Sequence, residues 1–202
     1  MKEVFEIKDQ KSIYQVLESS EYGTLAICAE DRPYSLPLNF ATIGDTVYFH
    51  GAKTGRKMDI LKQNSFASFS VVQPYAMIQS YFSTDDDLAC PATQFFKSVI
   101  IDGKIAFVQD YDEKVEALWA LMRKLQPEGR YRALDDAAYQ KMIKATTVYK
   151  LIPKSIKAKY KFGQHLTQKR FEKIISHLET RGKVLDQETI SMMKKHRKND
   201  AI

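Results

Sequence analysis

VYFHGAKTGRKMDILKQNSFASFSVV, residues 47–72, is the stretch on which the reading of this 202-residue chain turns. It reads as a short strand rich in β-branched and aromatic residues, a polar loop, one amphipathic helix and a second strand. The loop, GAKTGRK at 51–57, sets two glycines, a threonine and three cations between strand and helix. These residue types suit an anion. Glycine lets backbone N–H groups approach closely, Thr54 is placed to cap the helix, and Arg56 and Lys57 add a guanidinium fork and a point charge at a terminus that favours negative charge. A phosphate is the expected guest, although a solvated cationic turn would use the same residues. The loop is not a Walker motif: Gly51 and Gly55 enclose three residues rather than four, and Met58 stands where a magnesium-binding hydroxyl belongs.

Upstream of this stretch, residues 10–20 predict an amphipathic helix with Ile13, Val16 and Leu17 at helical spacing, suited to plugging the end of a barrel. Residues 22–29 and 34–42 predict two strands around an AEDR turn. Pro33 and Pro37 place the second of them at a sheet edge or give it an irregularity, because proline donates no ladder hydrogen bond. Downstream, residues 66–72 and 95–108 predict strands, the latter bent at Gly103, and 112–125 a helix whose Val115, Leu118, Trp119, Met122 and Leu125 should face the core. A last strand, 146–152, should stop at Pro153. Residues 154–166 read as irregular and basic, followed by helices at 168–180 and 187–196 joined at Gly182.

Composition narrows the function classes. No apolar run approaches the roughly 20 residues that cross a bilayer, and the N-terminus lacks an apolar signal region, so a cytoplasmic protein is expected. Cys28 and Cys90 form no CxxC pattern, the four histidines lack ligand spacing, and the acidic run STDDD (83–87) reads as a solvated loop tip, so no metal site is expected. Residues 154–202 carry 13 Lys or Arg against 5 Asp or Glu, whereas residues 1–153 carry 18 against 20. The basic excess thus lies on a tail of interrupted helices rather than in an aromatic-studded groove, and nucleic acid is not the expected partner. The resulting organisation is a mainly β body, 1–153, with a basic helical extension, 154–202. Short turns, one crossing helix and no βαβ alternation favour a small antiparallel barrel with peripheral helices.

Four blocks, YGTLAI (22–27), PYSLPLNF (33–40), VYFHGAKTGRKMDIL (47–61) and SVIIDGKIAFV (98–108), together resemble the FMN-binding split barrels of the pyridoxamine 5′-phosphate oxidase superfamily, and within it the nitroimidazole-resistance (Nim) flavoproteins. The resemblance spans residues 10–150. It implies a Greek-key split β-barrel and a homodimer with FMN in the cleft between subunits. It also implies that Arg56 and Lys57, with Lys53 nearby, hold the FMN phosphate, and that Phe49 and His50 at the strand end approach the cofactor. Tyr34, Leu38 and Asn39 would run along the isoalloxazine, and Lys97 and Ser98 would reach the ring. The chain departs from the family in two places. The Trp-Gly-Gly segment of the true oxidases is missing, which argues against a vitamin B6 phosphate as substrate, and Phe96-Lys97-Ser98-Val99 stands where Nim-like chains read Tyr-Arg-Ser-Val.

The resemblance therefore implies an FMN-dependent oxidoreductase passing electrons from a small-molecule donor to a nitroaromatic or quinone-like acceptor, with His50 as the catalytic proton donor or as a plain cofactor ligand. The alternative is a flavin- or haem-binding sensor, carrier or regulator without turnover of its own, in which His165 would be the axial ligand.

Overall fold

A computed structural model describes residues 2–197. In chain order its elements are β1 (Glu6–Ile7), α1 (Gln10–Glu18), β2 (Tyr22–Ala29), β3 (Arg32–Asn39), β4 (Ala41–Ile43), β5 (Thr46–Gly51), α2 (Arg56–Gln63) and β6 (Phe66–Ile78). They continue with β7 (Thr93–Phe107), α3 (Tyr111–Leu125), α4 (Gln140–Ala145), β8 (Thr147–Lys161), α5 (Gln168–Arg181) and α6 (Asp186–His196). The strands hydrogen-bond in the order β3-β2-β6-β7-β8-β5-β4, and β1 adds to β8. The pairs β2–β3, β2–β6, β4–β5, β5–β8 and β1–β8 are antiparallel, so the mainly β, antiparallel expectation is met.

Local chemistry explains the turns. Glu30 and Asp31 sit at φ 51° and 57°, a primed two-residue turn whose twist matches that of the strands it joins. β3 ends the strand order, as Pro33 and Pro37 require. The single strand predicted at 34–42 is instead two, β3 and β4, separated at Phe40, whose ring is fully buried against Phe69.

Two compact units emerge. One comprises residues 10–71 and 99–157. Its core includes Leu25, Ile27, Val47, Phe49, Phe69, Ile101, Tyr149 and Leu151, and α3 packs on β4 and β5 through Tyr48, Val108, Ala117 and Val148. The other comprises residues up to 9, 72–98 and from 158 onward, with a core that includes Ile78, Phe82, Phe95, Phe162, Ile174, Leu178 and Met193. β6, β7 and β8 each pass from one unit into the other.

Three expectations are corrected. Pro153 does not stop the last strand: β5 pairs with β8 only as far as Leu151 and β1 only from Ala158, so at 153 that side of β8 needs no donor. Residues 154–161 are therefore strand rather than irregular, and the boundary expected at 153/154 falls inside β8. In the same way β6 continues past Val72 through Pro74, because β2 pairs with it only over residues 67–70. Trp119 is not core. Its helix buries Val115, Ala117 and Leu121, and the indole lies on the exposed side with the Arg123 guanidinium 5.7 Å from its ring. Gly103 answers to a close approach, since a Cβ there would stand 2.1 Å from the Ile152 carbonyl oxygen.

Candidate functional site

The anion loop leaves β5 at Gly51 and enters α2 at Arg56. Gly55, at φ 100°, is the residue that caps the helix, and Thr54 makes no capping hydrogen bond, contrary to the expectation from sequence. The Gly55 carbonyl accepts from the amides of Met58 and Asp59, while the amides of Arg56 and Lys57, first in the helix, have no preceding turn to bond to. Ile60 and Leu61 anchor the inner face and Met58 is half-buried beside them. The helix thus presents its N-terminal dipole and donors on the loop side.

Lys57 is the most constrained cation of the loop. Its ammonium lies 4.2 Å from the Tyr149 ring centroid and 5.7 Å from that of Phe49, and those two rings stack in parallel at 5.0 Å. A Cβ on Gly51 would stand 2.3 Å from Lys57 Nζ, so the ammonium lies directly over the Gly51 backbone, and a side chain there would displace it. Tyr149 donates its hydroxyl to the Ala52 carbonyl at 2.8 Å and so fixes the start of the loop. Burial lowers the Lys57 pKa, and among the described residues no carboxylate pairs with it. A half-buried ammonium relieved only by aromatic faces is suited to an incoming anion.

Arg56 is exposed. Its guanidinium stacks 4.4 Å above the Tyr34 ring and donates weakly to the Pro33 carbonyl at 3.4 Å, which tethers α2 to β3 while leaving most of the fork free. Lys53 is exposed in the loop. Tyr34 and Leu38 lie on one face of β3, both half-buried, and Asn39 lies on the other, its amide donating to the Glu21 carbonyl at 3.0 Å. Phe49 is fully buried, so its ring supports Lys57 rather than reaching outward, and His50 next to it is exposed. The compact unit of residues 10–71 and 99–157 thus gathers Tyr34, Leu38, Asn39, Phe49, His50, Lys53, Arg56 and Lys57. Lys97 and Ser98 belong to the other unit. There Lys97 is buried between the rings of Tyr75, at 5.0 Å, and Tyr160, at 5.2 Å, while Ser98 faces the opposite side of β7 and is half-buried.

Tyr149 is the contributor that sequence reasoning missed. No local motif marks it, because only the β5–β8 register, Phe49 opposite Tyr149, brings it under the loop.

The sequence profile of the pyridoxamine 5′-phosphate oxidase family matches residues 9–160. The chain belongs to that family. No curated protein matches this sequence. Among solved structures, this family member is similar to a candidate 5-nitroimidazole antibiotic resistance protein from Bacteroides thetaiotaomicron, at 21% identity and a TM-score of 0.63 over 76% of this chain and 85% of that one. It is also similar to the flavocytochrome Anf3 from Azotobacter vinelandii, at 22% identity and TM-score 0.64 over 78% and 69% of the two chains. A third likeness is to an FAD- and haem-binding protein from Mycobacterium smegmatis, at 18% identity and TM-score 0.62 over 77% and 72%. At these identities the likeness is one of fold, the split β-barrel.

Proposed function

We propose that this protein is an FMN-dependent oxidoreductase that passes electrons to a nitroaromatic or quinone-like acceptor, working as a homodimer with the flavin between subunits. The observation that carries the flavin assignment is the Lys57 ammonium, seated on Gly51 and the Tyr149 ring without a carboxylate partner, beside Arg56 at the start of α2. A phosphate dianion completes that arrangement. Lys57 supplies a desolvated point charge, Arg56 a bidentate fork, and the first amides of α2 further donors. Bound FMN would supply the hydride and electron transfer, and the residues of the chain bind it, orient it and limit its access to water. Tyr34 and Leu38 on one face of β3, with the Asn39 amide at its end, offer a mixed apolar and amide strand edge for the ring. His50, exposed at the end of β5, is the group we assign to proton donation to the acceptor. The family membership and the flavoproteins sharing the fold support this reading.

The test is occupancy. Each lost charge-assisted hydrogen bond is worth about 1.5–3 kcal/mol, so Arg56→Glu with Lys57→Glu should lower FMN affinity at least about a hundredfold and yield colourless protein with a native circular dichroism spectrum. Purification of the double variant with full flavin absorbance near 450 nm would refute the phosphate assignment.

A further inference from the structure

The compact unit built from residues up to 9, 72–98 and from 158 onward encloses a cavity that this flavin chemistry does not use. Its volume is about 260 Å³, and its apolar wall includes Phe95, Leu166 and Ile174. The wall depends on Gly163. At φ 78° with a prospective Cβ 2.7 Å from Leu166 and 3.2 Å from Phe95, only glycine lets Leu166 fold back against the phenyl ring.

The polar side of the cavity is formed by Lys161, His165 and Arg170 with the Ser83 and Thr93 hydroxyls, and among the described residues no Asp or Glu lines it. Arg170 donates to the Ser83 hydroxyl at 3.2 Å and Lys161 to the Thr93 hydroxyl, so both spend donors on neutral oxygens. Neither forms an ion pair among the described residues. The Arg170 Nε is buried and has no hydrogen-bond partner among the described residues. The nearby Asp85 is taken up by Lys173 and is not part of the lining. Arg170 also lies in the first turn of α5, which Thr167 caps, so the helix N-terminus adds to the positive potential. Burial first, then Lys2 and the lining cations Lys161 and Arg170, lower the His165 pKa. An orphaned buried donor and two unpaired cations beside one cavity are costly unless a negative group enters.

We propose that this cavity binds a small organic anion, a carboxylate or phosphate monoester on a compact apolar body, with Arg170 and Lys161 on the anionic head and Phe95 and Leu166 against the body. Its size lies below the roughly 300–1,000 Å³ of pockets for drug-sized ligands, which selects a single-ring or short-chain guest. The site is independent of the flavin reading, since none of its residues belongs to the anion loop.

Cys90 lines the cavity and is exposed, so its alkylation by neutral iodoacetamide reports occupancy in the full chain, with Cys28 as internal control. Benzoate and phenyl phosphate should each protect Cys90, half-maximally at or below about 1 mM, and benzyl alcohol should not. The head group that protects at lower concentration identifies the preferred class. Arg170→Met with Lys161→Met should raise the half-maximal concentration at least about tenfold while Cys28 labelling stays unchanged. Should that pair fail to fold, Arg170→Gln is expected to give a smaller shift in the same direction, and saturation-transfer NMR of benzoate on the wild type provides a measurement free of mutation. Absence of protection up to about 10 mM, equal protection by benzyl alcohol, or protection unchanged in the charge-removed variants would each overturn the proposal. Because the assay runs on both flavin-free and flavin-loaded protein, failure of the FMN assignment leaves its outcome readable.

Discussion

At the scale of single residues, position separates two histidines of similar promise. His50 stands exposed at the end of β5, opposite Val148 in the register, next to the loop that carries Lys53, Arg56 and Lys57. His165 packs edge-on against Phe5 at 5.3 Å in the other compact unit, beside cations that disfavour its own charge. We therefore propose His50 rather than His165 as the proton donor. General acid catalysis typically contributes about 10²- to 10⁴-fold, so His50→Ala should slow reoxidation of the reduced flavoprotein by a nitroimidazole by that order. Flavin occupancy should hold, because Arg56 and Lys57 remain. Stopped-flow reoxidation isolates this step from the electron donor, and a variant rate within about twofold of wild type would remove His50 from the chemistry.

Among elements, the junction of α5 and α6 is held by a charge pair. The Asp186 side chain is 1% exposed and that of Arg181 15%. Arg181 Nε donates to Asp186 at 2.9 Å, the Lys183 amide donates to the same carboxylate at 2.8 Å, and Arg181 Nη1 reaches the Met77 carbonyl at 2.8 Å. Gly182, in the left-handed conformation at φ 60°, turns the chain between the two helices. Breaking a buried pair leaves an uncompensated charge, so Asp186→Ala should cost about 3–5 kcal/mol, measurable by urea unfolding. The guanidinium of Arg181 holds the Asp186 carboxyl below the usual carboxylate range. A depressed folded-state pKa contributes stability in full at neutral pH and loses it as pH falls below the unfolded value of about 3.9 towards the folded one. The melting temperature of the wild type should consequently fall more steeply below about pH 4 than that of Asp186→Ala, and parallel declines would show that the pair contributes nothing.

For the whole molecule, the question is whether the basic tail can be separated from the body. Composition places the break at residue 153, but β8 runs unbroken through it from Thr147 to Lys161, and the compact unit that holds α5 and α6 also holds residues 72–98. A chain ending at Lys154 would lose half of β8 and the helices that bury Phe171, Ile174 and Leu178. It should lose its cooperative thermal transition and bind a hydrophobic dye rather than survive as a smaller flavoprotein. Calorimetry decides the matter: a retained two-state transition would show that the tail is an appendage.

How much of this was legible in advance follows from the range of the forces involved. α2 at Arg56–Gln63, β2 at Tyr22–Ala29 and the α5–α6 pair around Gly182 are readable from sequence because periodicity, caps and turn residues act over a few positions. The strand–loop–helix course around Gly51, Arg56 and Lys57 was legible for the same reason, although Gly55 rather than Thr54 caps the helix. Local signals failed where the answer depends on what lies across the sheet. Pro74 and Pro153 look like breaks, yet each sits on a stretch whose open side asks for no donor, which only the β2–β6 and β5–β8 registers reveal. Trp119 has core periodicity, but the face that α3 buries is chosen by its contact with β4 and β5. The sequence by itself determined a mainly β protein with a cationic loop entering a helix. The tertiary structure alone decided that Tyr149, ninety-two residues beyond Lys57, lies beneath its ammonium, and that Lys161 and Arg170 share a cavity without a carboxylate, because such encounters are set by strand register and long-range packing rather than by neighbours in the chain.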